Sequence, residues 1–229
     1  MTERELLTQG LEAMHIVCPQ AVDKLLRFSE LLLEKNKVMN LTAVTDPHEV
    51  ITRHFLDCAV LAPHAAGKTV VDVGCGAGFP GVPVALLSDA RVTLLDSLGK
   101  RITFLNEVIA ALGMENAEAV HARAEEFGHR EAYDMATSRA VARLNVLAEL
   151  SLPLVKVGGY FVAMKAVGSD AEIEEARRGI GLLGGSIARI EDYTIPGTDR
   201  QGRLVWVRKE KSTPPKYPRP FRKISAAPL

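Results

Sequence analysis

The sequence predicts an α/β fold: a seven-stranded mixed sheet with helices on both faces and a helical cap at its N-terminal end. Three observations carry that reading. The first is Thr69-Val70-Val71-Asp72-Val73 running into Gly74-Cys75-Gly76-Ala77-Gly78-Phe79-Pro80-Gly81, with glycine at every second position of the loop. β-Branched residues suit a buried strand, and glycines let the backbone turn and approach a ligand, so the stretch reads as strand, loop and helix start. The second is that strand-length apolar runs alternate with helix-period segments for five rounds, which demands a parallel sheet covered on both faces. The third is a closing pair of strand-like runs with no helix between them, which implies an antiparallel hairpin at one edge.

Taken in order, residues 1–66 read as the cap. Leu6, Leu7, Leu11 and Met14 recur at helical spacing in Glu3 to Met14. Pro19 opens a longer helix over Gln20 to Lys37, with a broad apolar face from Val22 to Leu33, and Asn36 to Asn40 ends it. Asp46 is placed as an N-cap ahead of Pro47 and Glu49, starting a third helix to Leu61 that carries Ile51, His54, Phe55, Cys58 and Leu61 on one face.

Residues 67–210 read as the α/β core. Strand Thr69 to Val73 leads through the glycine loop to a helix over Gly81 to Ser88, with Pro83 in its first turn. Val92 to Leu95 is the second strand, tipped by Asp96, and Lys100 to Leu112 a helix stopped by Gly113. Ala117 to His121 and Tyr133 to Thr137 are the third and fourth strands, and Leu144 to Leu152 is a helix closed by Pro153. Gly158-Gly159 precedes a fifth strand over Tyr160 to Lys165. A charged helix over Ala171 to Leu183 and strands Ser186 to Tyr193 and Leu204 to Lys209 complete the core.

Residues 211–229 form a basic tail. Net charge is zero, yet Arg203 to Leu229 holds eight basic residues against Glu210 alone. The tail reads either as a contact for a polyanion, most naturally nucleic acid, or as a solvated end. The apolar fraction of 47% and charged fraction of 24% are ordinary for a soluble globular chain, and no apolar run reaches the length of a membrane helix. The charged N-terminus lacks a signal-peptide pattern. Cys18, Cys58 and Cys75 are scattered, which argues against disulfides or a zinc site and suits a reducing, cytoplasmic setting. No metal is expected.

In such sheets ligands sit outside the C-terminal strand ends. The candidate site is therefore the glycine loop, Asp96-Ser97, Arg123 to Glu125, and Ser138 to Arg143. Asp72, two residues before the first glycine, is awkward for a pyrophosphate and suits a ligand carrying an ammonium and a sulfonium. Asp96 at the second strand tip can accept hydrogen bonds from the hydroxyls of an adenosine ribose.

These motifs resemble a class I S-adenosylmethionine-dependent methyltransferase with a Rossmann-like fold. More narrowly, the chain is similar to the bacterial ribosomal RNA small-subunit methyltransferase G family, also called glucose-inhibited division protein B. The likeness rests on the Val71-to-Gly81 run, Asn40-Leu41-Thr42, His54-Phe55-Leu56-Asp57, Leu95 to Arg101, Ser138-Arg139-Ala140 with Leu144, and Lys216-Tyr217-Pro218-Arg219. The chain departs from the family pattern at Cys58, where serine is more usual, and after Arg219.

The resemblance implies methylation of guanine N7 at position 527, in the 530 loop of 16S rRNA, with S-adenosyl-L-homocysteine as product. It implies that Gly74, Phe79, Ala124, Glu125 and Arg139 contact the methionine cofactor, alongside Asp72, Gly76, Gly78, Asp96 and Ser97 from the reading above. One of Arg139, Arg143 and Arg123 is expected to hold a phosphate or the guanine O6 edge. His54 and Asp57, one helical turn apart, read equally as a pair facing the site or as a structural pair. The expected partner is 16S rRNA within the 30S subunit, bound by a monomer without membrane association. The runner-up is a class I methyltransferase acting on a small molecule or protein. A dinucleotide-dependent dehydrogenase is disfavoured by Asp72, and a non-catalytic RNA-binding module would bind cofactor without turnover.

Overall fold

The structure is a computed structural model describing residues 1–229, built on one mixed sheet. Its strands are β1 (Thr69–Val73), β2 (Arg91–Asp96), β3 (Ala117–His121), β4 (Tyr133–Arg139), β5 (Val155–Lys165), β6 (Gly185–Thr194) and β7 (Gln201–Lys209). They lie in the order β3-β2-β1-β4-β5-β7-β6. The first five run parallel, and β7 inserts antiparallel between β5 and β6. Strand order reverses between β1 and β4, so the loops leaving their C-terminal ends part and open a crevice.

The helices are α1 (Glu3–Ala13), α2 (Pro19–Met39), α3 (Pro47–Val50), α4 (Leu56–Ala59), α5 (Ala62–Ala65), α6 (Gly81–Leu87), α7 (Gly99–Leu112), α8 (Leu144–Ser151), α9 (Asp170–Leu182) and α10 (Phe221–Ala226). Local chemistry sets their ends. Thr2 and Glu5 close a capping box on α1, Asp46 accepts from the Glu49 amide at 3.0 Å to start α3, and Asn40 takes a left-handed φ of 49° to end α2.

One sheet face packs on the cap together with α6 and α7, where Leu25, Phe28 and Phe55 share a cluster with Val70, Val82 and Phe104. The Phe28 ring lies 5.8 Å from Phe55 and 5.3 Å from Phe79, so an aromatic trio fastens the cap to the glycine loop. The other face packs on α8 and α9 with Phe161 and Leu147, and Tyr217 and Ile224 of the tail join that cluster. The tail is thus a packed segment rather than a solvated end. Burial drives this: Tyr217 and Ile224 are 6% and 0% exposed, and Arg219 ion-pairs with Glu149 of α8.

Two elements differ from the sequence reading. The helix expected from Pro47 to Leu61 is interrupted by a π-helical stretch, Ile51–Phe55, between α3 and α4. The fifth strand starts at Val155 and passes through Gly158-Gly159, where its pairing with β4 shifts register between Tyr133 and Met135. The glycines there make an irregularity inside the strand and do not terminate it.

Candidate active site

The glycine loop is held at its base by the Gly74 and Cys75 amides, which donate to the Leu95 carbonyl at 2.8 and 3.1 Å. Gly74 has φ of 72°, and a Cβ there would lie 2.8 Å from Val141. The loop therefore meets the segment after β4 with bare backbone. Asp72 is fully buried beneath it, and its Oδ2 accepts from the Gly81 amide at 2.8 Å, pinning the start of α6. Its Oδ1 has no partner. Burial pushes this carboxyl up to about 7, against the pull of the Gly81 hydrogen bond and Arg139. Gly78 faces inward, where a Cβ would strike Val82 and Leu105. Asp72 and Gly78 shape the loop and stand behind the cavity wall.

That cavity, of about 420 Å³, opens at the C-terminal ends of β1, β2 and β4. It falls in the size range of small-molecule sites, roughly 300–1,000 Å³. Of the residues expected from the sequence, Gly74, Gly76, Phe79, Asp96, Ser97, Arg123, Ala124, Glu125 and Arg139 line it. Asp96 is wired into the loops around it. Its Oδ2 accepts from the Gly76 amide at 3.0 Å and from Arg101 at 3.1 Å, and its Oδ1 from the Leu98 amide at 2.9 Å. Ala124 and Glu125 sit on a 3-10 turn just after β3, with Arg123 3.8 Å from the Glu125 carboxylate.

The opposite end of the cavity is closed by a hydrogen-bonded chain that joins cap and sheet. Arg139 donates to the Arg53 carbonyl at 3.0 Å and to Asp57 Oδ2 at 2.9 Å, and its Nη2 lies 3.1 Å from His54 Nδ1. Its guanidinium also stands 5.1 Å from the Phe79 ring centre. Asp57 Oδ1 accepts from Tyr193 at 2.7 Å, and His54 Nε2 lies 2.9 Å from Thr42 Oγ1. Nδ1 of His54 also lies 3.0 Å from the Arg53 carbonyl, so it has both a donor and an acceptor within reach, and the Thr42 hydroxyl can meet Nε2 in either tautomer. Burial, and next the Arg139 charge, push His54 down to about 4, so the ring is neutral near pH 7. Burial works against the Arg139 charge, yet the neighbouring carboxylates Asp57 and Asp72 keep its pKa above the ordinary value.

The π-helical stretch makes this chain possible. Arg53 and His54 lie within it and Asp57 just after it, and the Arg53 carbonyl, the His54 ring and the Asp57 carboxylate all reach Arg139. Arg143 is not brought into the cavity: it ion-pairs on the exterior with Glu175 of α9. Sequence reasoning missed Leu41, Thr42, Arg101, Leu150 and Phe221 as lining residues. Arg101 had a signal, its place five residues beyond Asp96 at the start of a helix; Phe221 had none. No group of three or more His, Cys, Asp or Glu side chains is placed to hold a metal, and no helix is long and apolar enough to cross a membrane.

Strand order, the antiparallel β7 and a crevice above β1, β2 and β4 define the class I methyltransferase fold. M. jannaschii TYW2, solved in complex with AdoMet, shares it with a TM-score of 0.53 at 17% identity, over 66% of this chain and 70% of that one. Closer relatives fix the branch. The protein named ribosomal RNA small subunit methyltransferase G from Clostridium perfringens strain 13 is 46% identical over 214 residues, covering 90% of each chain. Its namesake from Acetivibrio thermocellus is 43% identical over 99% of this chain and 96% of its own. The family described as rRNA small subunit methyltransferase G matches residues 21–198, and the chain belongs to that family.

Proposed function

We propose that this chain methylates N7 of guanosine 527, in the 530 loop of 16S rRNA, using S-adenosyl-L-methionine and releasing S-adenosyl-L-homocysteine. The observation that carries the reading is the two-ended cavity, with the Asp96 and Glu125 carboxylates at one end and Arg139 at the other. The residues fit the cofactor. Asp96 presents a carboxylate at the β2 tip for the ribose, Ala124 and Glu125 flank the adenine, and bare backbone at Gly74 and Gly76 leaves room for the methionine end. When bound, the cofactor supplies an electrophilic methyl group on a sulfonium.

Guanine N7 carries a free lone pair, so the protein need not remove a proton. Its tasks are to hold donor and acceptor in line and to exclude water. His54 suits that scheme: it is neutral and its ring nitrogens are tied to Arg139, the Arg53 carbonyl and Thr42, so it orients rather than deprotonates. Arg139 stays charged beside the cavity, and Arg123 lines it with its side chain 55% exposed, so either can reach the guanine O6 edge or a phosphate. Arg143, on the exterior, is left for backbone phosphate. The Asp96 and Glu125 carboxylates attract the cationic cofactor and continue to favour positive charge as it moves onto the purine. We place the enzyme in the cytoplasm, acting as a monomer on the 30S subunit.

The test is transfer of labelled methyl from S-adenosylmethionine to 30S subunits lacking N7 methylation in the 530 loop, with Asp96→Ala in parallel. Label on one guanine N7, lost in the variant, is the expected result. Tight cofactor binding without label on the 30S subunit would overturn the substrate assignment.

A further inference from the structure

The chain has seven phenylalanines, and Phe221 is the exposed one, at 40%. It does not face open solvent at random, because it lines the same cavity as Asp96 and Glu125. The surrounding chain is held on both sides of it. Two residues earlier, Arg219 grips Glu149 of α8 through its amide at 2.9 Å, Nε at 2.8 Å and Nη2 at 2.6 Å, and Glu149 is fully buried. Three residues later, Ile224 is fully buried against the α8–α9 face. An apolar ring left 40% exposed between two firm anchors is only partly covered by its own fold and is ready to be covered further.

Its position within the cavity selects what covers it. α10 touches α8, and α8 touches the turn Ala124–Glu126, while Leu150 of α8 lines the cavity as well. α8 also packs on β4 and β5, on the sheet face opposite the cap, so Phe221 and Leu150 line the cavity on its α8 side, which borders Ala124 and Glu125. Leu41, Thr42, His54 and Arg139 close the cap side, where the acceptor base must meet the methyl group. We propose that Phe221 is a plate on which the adenine ring of the cofactor stacks, held in place by the Arg219–Glu149 pair. This rests on the cofactor reading above and extends it to a tail residue. A phenyl ring suits a planar heteroaromatic because stacking needs only a π-face, and the two anchors fix the ring before the ligand arrives.

The test is calorimetry of S-adenosylhomocysteine binding to the full chain, with Phe221→Ala, Phe221→Leu and Phe221→Trp. Phe221→Ala is expected to weaken binding between about 5-fold and about 100-fold, on the scale of base stacking. Phe221→Leu keeps apolar bulk without a π-face and should stay weakened, while Phe221→Trp should restore affinity. The unliganded melting temperature should move little in any of the three and should not track the change in affinity, since the ring is only partly covered. Equal affinity for wild type and Phe221→Ala, or full affinity in Phe221→Leu, overturns the proposal. So does a loss confined to KM for 30S subunits, which would make Phe221 an RNA contact. Wild type that fails to bind S-adenosylhomocysteine overturns the cofactor reading itself, and this inference with it.

Discussion

Asp72 shows how little a residue's identity says about its work. Read along the chain, an acid two residues ahead of a glycine loop points to a cationic ligand; in the fold its one hydrogen bond goes to the Gly81 amide behind the loop. A carboxyl raised to about 7 is bound to its proton more tightly in the folded than in the unfolded chain. Its favourable contribution is complete below the unfolded value of 3.8 and is lost as pH rises through about 7. Asp72→Asn keeps an acceptor for Gly81 and removes the buried charge. It should melt higher than wild type at pH 8, by at most about 4 kcal/mol in stability, with the gap closing as pH falls towards 4. Thermal melts across that range check it. His54 has the opposite sign. Lowered from 6.5 to about 4, it contributes stability that is present above 6.5 and lost as pH falls towards 4. His54→Gln should flatten that acid-side loss, which the same melts read. Asp96 was legible because the tip of a second strand is a fixed place in a βαβ unit. The inward turn of Gly78 was not, since spacing alone does not say which side of a loop faces a ligand.

Among the elements, α6 and α7 and the parallel strands β1, β2 and β4 were readable because local period and burial agree there. The failures come where tertiary packing overrules local pattern. Residues 51–55 carry no helix breaker, and they go π-helical where His54 and Asp57 reach Arg139. Gly158-Gly159 looks like punctuation, but β4 pairs with Val155 before it and with Tyr160 to Met164 after it, so the strand runs through it. The cap-to-sheet chain gives a sharp expectation. Asp57 and Arg139 are 16% and 15% exposed, so Asp57→Ala strands a nearly buried guanidinium and the Tyr193 hydroxyl together. A loss of about 3–5 kcal/mol in stability is expected, readable by urea denaturation. Asp57→Asn, which retains acceptor and shape, should lose less stability yet still lower the rate of methyl transfer, because Arg139 is no longer charge-paired.

For the whole molecule, the tail changes what charge counting meant. Of the eight basic residues from Arg203 onward, Arg203 binds Asp192 and Asp170, Arg208 lies 3.7 Å from Glu210, Arg219 binds Glu149, and Lys209 is buried with its amine on the Leu152 carbonyl. Lys211, Lys216, Arg222 and Lys223 remain exposed on the surface. Affinity for 30S subunits should therefore fall steeply with salt, and replacing Arg222 and Lys223 by Gln should lower the log–log salt slope by about one for each phosphate no longer neutralised. Removing the tail outright is the poorer test, because it uncovers the hydrophobic face beneath Tyr217 and Ile224 and leaves Glu149 buried without its partner. That packing was not legible, since Pro214, Pro215, Pro218 and Pro220 break up the helical spacing of Tyr217 and Ile224. The irregular pairing of β6 with β7, where Ala188 is the extra residue between Ile187 and Arg189, bears on how the sheet ends. A bulge twists the outermost strand away from flatness, and the charged Arg189, Glu191 and Asp192 on that strand make it a poor template for a neighbour. The rim that faces other copies in a crowded solution is thereby blunted against strand-to-strand aggregation.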